Sequence, residues 1–314
     1  MKTFHGVTLS WATEDDIVEV RLHRGPCNEI GSTTLRELEQ LAAFATSGAG
    51  GARAMILYSE QEAGFCAGAD LRELWEGIRR VSDGGWRSLG TPLGPPDEDV
   101  SATPWALGAV AQLGAVAMEA ARAGTRKLTA PLVVARVRGF LSRIHRAFDA
   151  IDMAPVTTIA AVHGVVFGGG FELALLADQI IADKTARFAF PELRLGLVPG
   201  FGGIPRLERD VGNAVVRDLL LTGRSLNAKR AHDLGIVSQI VSTGEARHAA
   251  RAAARQAARF DPETVRRAKA FAKKLPRARL DEEIETFLAM VASPTVEAAL
   301  NRFVHSTDVR PYLP

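Results

Sequence analysis

The sequence predicts an α/β protein whose C-terminal part is helical. Three observations carry this: a strand–helix–strand pattern in the first sixty residues, its return from residue 156 with glycine-rich turns at helix mouths, and four amphipathic helix patterns between residues 245 and 304. Alternating strands and helices build parallel sheets, because parallel neighbours need a crossover between them.

Residues 7–11 and 17–22 have the alternating or β-rich look of strands, joined across the acidic turn at Glu14, Asp15 and Asp16. Gly31, Ser32 and Thr33 then open a helix with Leu35, Leu38, Leu41 and Ala42 at helical spacing. The glycine-rich stretch 48–51 stops it, and residues 54–58 (AMILY) read as a short buried strand. Residues 156–162 (VTTIAAV) are a second buried strand, followed by a glycine-rich turn and a helix beginning near Gly169. Short strands are expected at 179–182, 188–190 and 236–241, and helices over 245–259, 262–274, 281–291 and 294–304. The expected organisation is an α/β core over 1–235 and a mainly helical region over 236–314. Within the core an inserted segment, about 81–125, has glycine or proline at eleven of its 45 positions. A loop of that length reads as a functional lid, an interface element or a disordered stretch. No internal repeat is visible.

Apolar residues make up 47 % of the 314 and charged residues 24 %, which excludes a disordered, collagen-like or disulfide-scaffold chain. A net charge of +2 gives no footprint for nucleic acid. The two cysteines, Cys27 and Cys66, form no CxxC pair and suit a reducing compartment. The seven histidines show no HxH or HExxH spacing, so no metal is expected. The start MKTFHGVTLSW lacks the apolar core of a secretory signal. Residues 101–118 carry no charge, but Pro104, Gln112 and many small residues make them a packed helix or partner-facing surface, not a membrane span. A soluble cytoplasmic protein with no membrane partner is the expectation.

Three segments carry chemistry. AGFCAGADL (63–71) joins a buried strand to a helix beginning near Asp70, which sits where an acidic cap is stabilising. Alone, it reads as an ordinary strand-to-helix turn whose small residues also let a ligand approach the backbone. HGVVFGGGFEL (163–173) places three glycines at a helix mouth, where unpaired N–H groups suit a phosphate or a developing oxyanion. Leu173 stands where a dinucleotide fingerprint needs glycine, and neither a GxxxxGK[ST] loop nor a GxSxG elbow occurs. FPELRLGLVPGFGG (190–203) puts Glu192 after a strand and before a Pro-Gly turn. Glu172 and Glu192 are then either surface or capping glutamates, or a pair that converges on one cavity to share a water or act as acid and base. Like charges in a partly buried site would raise one pKa.

In this order the three segments resemble the crotonase (enoyl-CoA hydratase/isomerase) superfamily. The resemblance runs from LHRGPCN (22–28) through LTGRSLNA (221–228) and LGIV (234–237) to the C-terminal helices. It implies the crotonase (ClpP/crotonase-like) spiral of ββα units with a helical trimerisation region, and assembly as a homotrimer or hexamer. It implies an acyl-CoA thioester substrate whose carbonyl lies between the N–H groups of Ala69 and Gly169. It also implies a coenzyme A pocket lined by Cys66, Ala67 and Leu71, with Gly68, Asp70, Gly168, Pro191 and Gly200 flanking the site and Arg24 contacting phosphates. No cofactor is implied beyond the coenzyme A of the substrate.

Retention of both glutamates resembles the hydratases. Glu172 would act as base toward water and Glu192 would deliver a proton to the α-carbon, in hydration of a 2-enoyl-CoA or its reverse. Isomerisation, or C–C cleavage or hydrolysis with the same oxyanion hole, is the alternative. A non-catalytic binding protein of the same fold would be expected to lack a glutamate or carry a basic stripe, and neither is seen. Two features depart from the family pattern. Ala69 and Gly169 stand 100 positions apart because of the inserted segment, which points to a bulky, branched, aromatic or carrier-bound acyl group. The chain ends in RPYLP (310–314) where many relatives carry a basic segment that contacts coenzyme A.

Overall fold

A computed structural model describes residues 3–82 and 129–306. The expectations placed on 101–118 and 310–314, and nearly all of 81–125, lie outside the described residues.

Among the described residues the large sheet has seven strands. Its antiparallel edge is β1 (Thr3–His5), β2 (Leu9–Glu14) and β3 (Ile17–Leu22). The parallel part continues through β4 (Ala54–Ser59), β6 (Thr157–Val162), β8 (Gln179–Asp183) and β11 (Gln239–Val241). The all-apolar AMILY run has its physical reason here, since both faces of β4 are buried. Leu57 and Met55 face the main core, while Ile56 and Tyr58 face Ala246, Ala250 and Ala254 of a C-terminal helix. β1 has no counterpart in the sequence expectations: three residues at a largely exposed edge are too short for a period to register. It is anchored by Phe4 stacking on Trp11 at 4.2 Å.

The small sheet has the order β10-β9-β7-β5, with β5 (Gly64–Cys66), β7 (Val165–Phe167) and β9 (Arg187–Ala189) parallel and β10 (Leu226–Asn227) antiparallel at the edge. The chain thus passes from β4 to β5, from β6 to β7 and from β8 to β9, giving each sheet one strand per turn. Helices follow: α1 (Ser32–Thr46) bridges β3 and β4, α2 (Leu71–Ser82) follows β5, and α3 (Thr129–Asp152) leads into β6. The six-residue α4 (Gly169–Ala174) follows β7, and a 3-10 turn (Glu192–Leu195) follows β9. This is the expected spiral of ββα units.

The remaining helices are α5 (Gly203–Val211), α6 (Asn213–Thr222), α7 (Ala228–Asp233), α8 (Ala246–Ala257), α9 (Pro262–Ala272), α10 (Arg277–Val291) and α11 (Pro294–His305). Helices α8 to α11 match the four expected C-terminal patterns, with α10 starting earlier than position 281. Asp261 and Ser293 cap α9 and α11 through their side chains. The functional consequence of the topology is simple. Parallel neighbours end on the same side, so the three chemistry-bearing segments, which follow β5, β7 and β9, emerge together at one edge of the small sheet.

Candidate active site

At that edge the backbone of 68–70 is fixed by Ile30. Ile30 N–H donates to Gly68 O at 2.8 Å, and Asp70 N–H donates to Ile30 O at 3.0 Å. Extended backbone alternates its polar groups, so the N–H of Ala69 points away from Ile30, and no acceptor in the described residues takes it. Gly168 turns the chain with φ +49°, and its own N–H is held by Ala189 O at 3.0 Å. The next amide, that of Gly169, heads α4 and likewise has no acceptor. A Cβ added at Gly169 would stand 3.4 Å from Ala69 N and 2.7 Å from the Phe201 ring. The two unengaged amides therefore flank one space that only glycine at 169 leaves open.

Glu172 lies one turn into α4 and is 1 % exposed. Its Oε1 accepts from Phe201 N–H and Gly203 N–H, both at 2.8 Å. Burial raises its pKa to about 7, against the opposing pull of those amides and of Arg206. Glu192 is only partly exposed as a residue, and its Oε2 is sealed with no partner among the described residues. Burial, then the nearby Glu172 charge, raises its pKa well above the ordinary value. A Cβ at Gly168 would come within 2.5 Å of Glu192 Oε1, so the glycine is what lets this carboxyl lie against the turn.

The segment 200–204 that aims Glu172 is itself held on every side. Arg206, fully buried, donates through Nη1 to the carbonyls of Phe201 and Gly202, each at 3.2 Å. Its other nitrogens pair with Asp152 at 2.8 Å and Asp149 at 2.6 Å on α3. His145 Nε2 lies 2.8 Å from Gly200 O. Burial pushes this imidazole down to about 4, so it is neutral near pH 7 and its Nε2 carries the proton it donates. Glu283 of α10 accepts from Gly202 N–H at 2.6 Å and Ile204 N–H at 3.0 Å.

Of the residues singled out in the sequence, Ala67, Gly68, Ala69, Leu71, Gly168, Gly169, Glu172, Pro191, Glu192 and Gly200 line one cavity of about 510 Å³, mouth included. Three do not. Asp70 lines an adjoining apolar chamber of about 660 Å³ that shares Ala69, Leu74, Phe201 and Phe287 with the first. Its Oδ1 also accepts from Glu73 N–H, making it the expected helix cap. Arg24 pairs with Asp70 and borders a separate shallow groove with His23 and Thr33. Cys66 is 1 % exposed, its Sγ lies 3.0 Å from Asn28 O, and burial pushes its thiol up to about 12. It stands behind the cavity wall.

Sequence reading missed Phe201, Phe287, Phe140, His145, Arg206 and Glu283. Phe201 and Gly203 lie within a segment that was singled out, but nothing local says which amides meet Glu172. Among the described residues no group of three or more His, Cys, Asp or Glu could hold a metal ion, and no helix is long and apolar enough to cross a membrane.

The chain has relatives among known proteins. The family model described as "Enoyl-CoA hydratase/isomerase" matches residues 135–307. The chain is 41 % identical over 150 residues to a carnitinyl-CoA dehydratase of Proteus mirabilis, covering 48 % of this chain and 56 % of that protein. It is 43 % identical over 124 residues to a Rhizobium meliloti protein named "Probable enoyl-CoA hydratase", covering 40 % and 48 %. These matches span about half the length of the curated relatives. Among solved structures, an enoyl-CoA hydratase from Bacillus halodurans superposes with a TM-score of 0.70 at 18 % identity, covering 93 % of this chain and 98 % of that one. This last likeness is one of fold.

Proposed function

The chain belongs to the enoyl-CoA hydratase/isomerase family, and from that premise we propose that it adds water to a 2-enoyl-CoA thioester, or removes it in reverse. The observation that carries the reading is the unequal footing of two carboxyls in one cavity. Glu172 is supplied with two N–H donors, which favour its ionised form, whereas Glu192 Oε2 has none and its carboxyl keeps its proton. Environments that separate two such groups assign base and acid.

In this reading the thioester carbonyl oxygen sits between Ala69 N–H and Gly169 N–H. Water at Glu172 attacks the β-carbon and gives its proton to that carboxylate. The β-carbon to α-carbon π electrons move onto the thioester oxygen as an enolate, which the two amides stabilise. Glu192 then protonates the α-carbon as the enolate collapses, and the proton on Glu172 restores Glu192 before the next turnover. Loss of one oxyanion donor typically costs about 2.7–4 kcal/mol of barrier. The same reading assigns Ala67, Gly68 and Leu71 to the coenzyme A thioester arm, with no cofactor beyond that coenzyme A. It also carries assembly as a homotrimer or hexamer and a cytoplasmic setting.

The test is to mix the protein with crotonyl-CoA and with longer and branched enoyl-CoAs. The conjugated thioester absorbance should fall while the product gains the mass of one water. Glu172→Gln and Glu192→Gln should each slow this by about 10²–10⁴-fold. A wild-type protein that consumes none of these thioesters, or variants that match it, would count against hydration.

A further inference from the structure

Four consecutive amides, those of Phe201, Gly202, Gly203 and Ile204, go alternately to two carboxylates. The first and third donate to Glu172 and the second and fourth to Glu283. Glu283 comes from α10, some 80 residues downstream, yet it is as fully engaged as the site glutamate and only 5 % exposed. It does not line the cavity. With both oxygens occupied by amides, it has no means of meeting a substrate. Its position on α10 is shared with Leu280, Phe287 and Val291, all buried, and Phe287 itself packs against Gly200 at the cavity. An ionisable group on a buried apolar stripe is costly unless it is used.

We propose that Glu283 is the positioning residue of this site: by anchoring Gly202 N–H and Ile204 N–H it holds the segment 201–204 in the register that turns Phe201 N–H and Gly203 N–H onto Glu172. The inference rests on the hydratase reading for its catalytic meaning, but not for its geometry. Its physical content has two parts. The anchoring is steric and directional, because a turn released on one side can rotate its alternating amides away from the other. It is also electrostatic, because Glu172 and Glu283 are two buried carboxyls bridged by one short backbone segment, and ionising one disfavours ionising the other. Burial, then the Glu172 charge, raises the Glu283 pKa, and its two amide donors oppose the rise. The other charged or titratable groups facing the pair are Glu192, Arg206 with its partners Asp149 and Asp152, and the neutral His145. Arg206 leaves the amides to the two glutamates, since it binds the carbonyl side of the same segment.

Glu283→Gln leaves one acceptor oxygen for the two N–H groups. Glu283→Asp keeps the carboxyl and both its oxygens but withdraws them by one methylene. The measurement is the titration of the Glu172 carboxyl by NMR of selectively carboxyl-labelled glutamate, assigned by the signal absent from Glu172→Gln, alongside kcat and KM on crotonyl-CoA. Glu283→Gln should raise the Glu172 midpoint by about one pH unit, because the Phe201 and Gly203 amides turn away from it, and kcat should fall about tenfold with KM nearly unchanged. Glu283→Asp should raise the midpoint in the same direction, and its crystal structure should show Phe201 N and Gly203 N displaced from Glu172 Oε1. An unmoved Glu172 midpoint in folded Glu283→Gln, or an undisplaced 201–204 segment in Glu283→Asp, overturns the proposal. The titration and the crystal structure need no substrate. If no enoyl-CoA is hydrated at all, they still decide this inference while the hydratase reading alone fails.

Discussion

Replacing Glu172 by Gln should stabilise the protein in a way that depends on pH. The wild-type carboxyl is ordinarily ionised above 4.5 but keeps its proton in the folded state up to about 7. Below 4.5 both the folded and the unfolded chain hold that proton, and the group costs nothing. Between 4.5 and about 7 the unfolded chain releases it while the folded one does not, so folding stability declines as pH rises. Above that range both are ionised and the loss has reached its full extent. At about 1.4 kcal/mol per pH unit the plateau is about 3 kcal/mol. Gln resembles the protonated acid, and its carbonyl can still accept from Phe201 N–H and Gly203 N–H. Relief of Glu192 and Glu283, whose pKa values the Glu172 charge also raises, adds in the same direction. Thermal melts of wild type and Glu172→Gln at matched protein concentration should coincide near pH 4.5 and separate by about 5 °C at pH 8.5, the variant being higher. A gap that does not change with pH, or a variant that melts lower at pH 8.5 than at pH 4.5 relative to wild type, would refute the reasoning about burial.

Two further outcomes follow from positions in the cavity wall. Gly168→Ala puts a side chain at φ +49° and a Cβ 2.5 Å from Glu192 Oε1; stability should fall by about 1–3 kcal/mol. Since the glutamate must swing aside, hydration should slow by about 10²-fold, read by melts and by enoyl-CoA turnover together. Cys66, buried with a thiol pushed up to about 12, should resist iodoacetamide in the native protein at pH 8 while the half-buried Cys27 reacts first. Peptide mass mapping checks this, and equal labelling of the two would contradict the placement of Cys66 behind the wall.

The parts of the site that follow strands were legible because each is a contiguous string. Small residues at 67–69 and glycines at 168–170 can only be turns, and an acid a few residues on from each of the last two strands is conspicuous. The strands themselves announced their burial, as in β4, where apolar residues run without alternation because helices cover both faces. What was not legible is what arrives from elsewhere in the chain. The 24-residue α3 brings His145, Asp149 and Asp152 to the back of the site, and none of them carries a local mark of that destination. Arg206, wholly buried, reads in sequence as one more charge in a polar helix. Glu283 is the instructive case, because a signal did exist. It sits among Asp281, Glu282 and Glu285, which suggests a solvated acidic face, and those three neighbours are indeed exposed. Yet counting from Leu280 by three, then four, then four reaches Glu283, Phe287 and Val291, which is one stripe of the helix. Burial drives an acid in an apolar register toward its neutral form, and hydrogen-bond donors oppose that drive. Here it finds two backbone amides, and those amides belong to the segment that holds Glu172. The register of one C-terminal helix thus reaches the chemistry at α4 through four successive peptide groups.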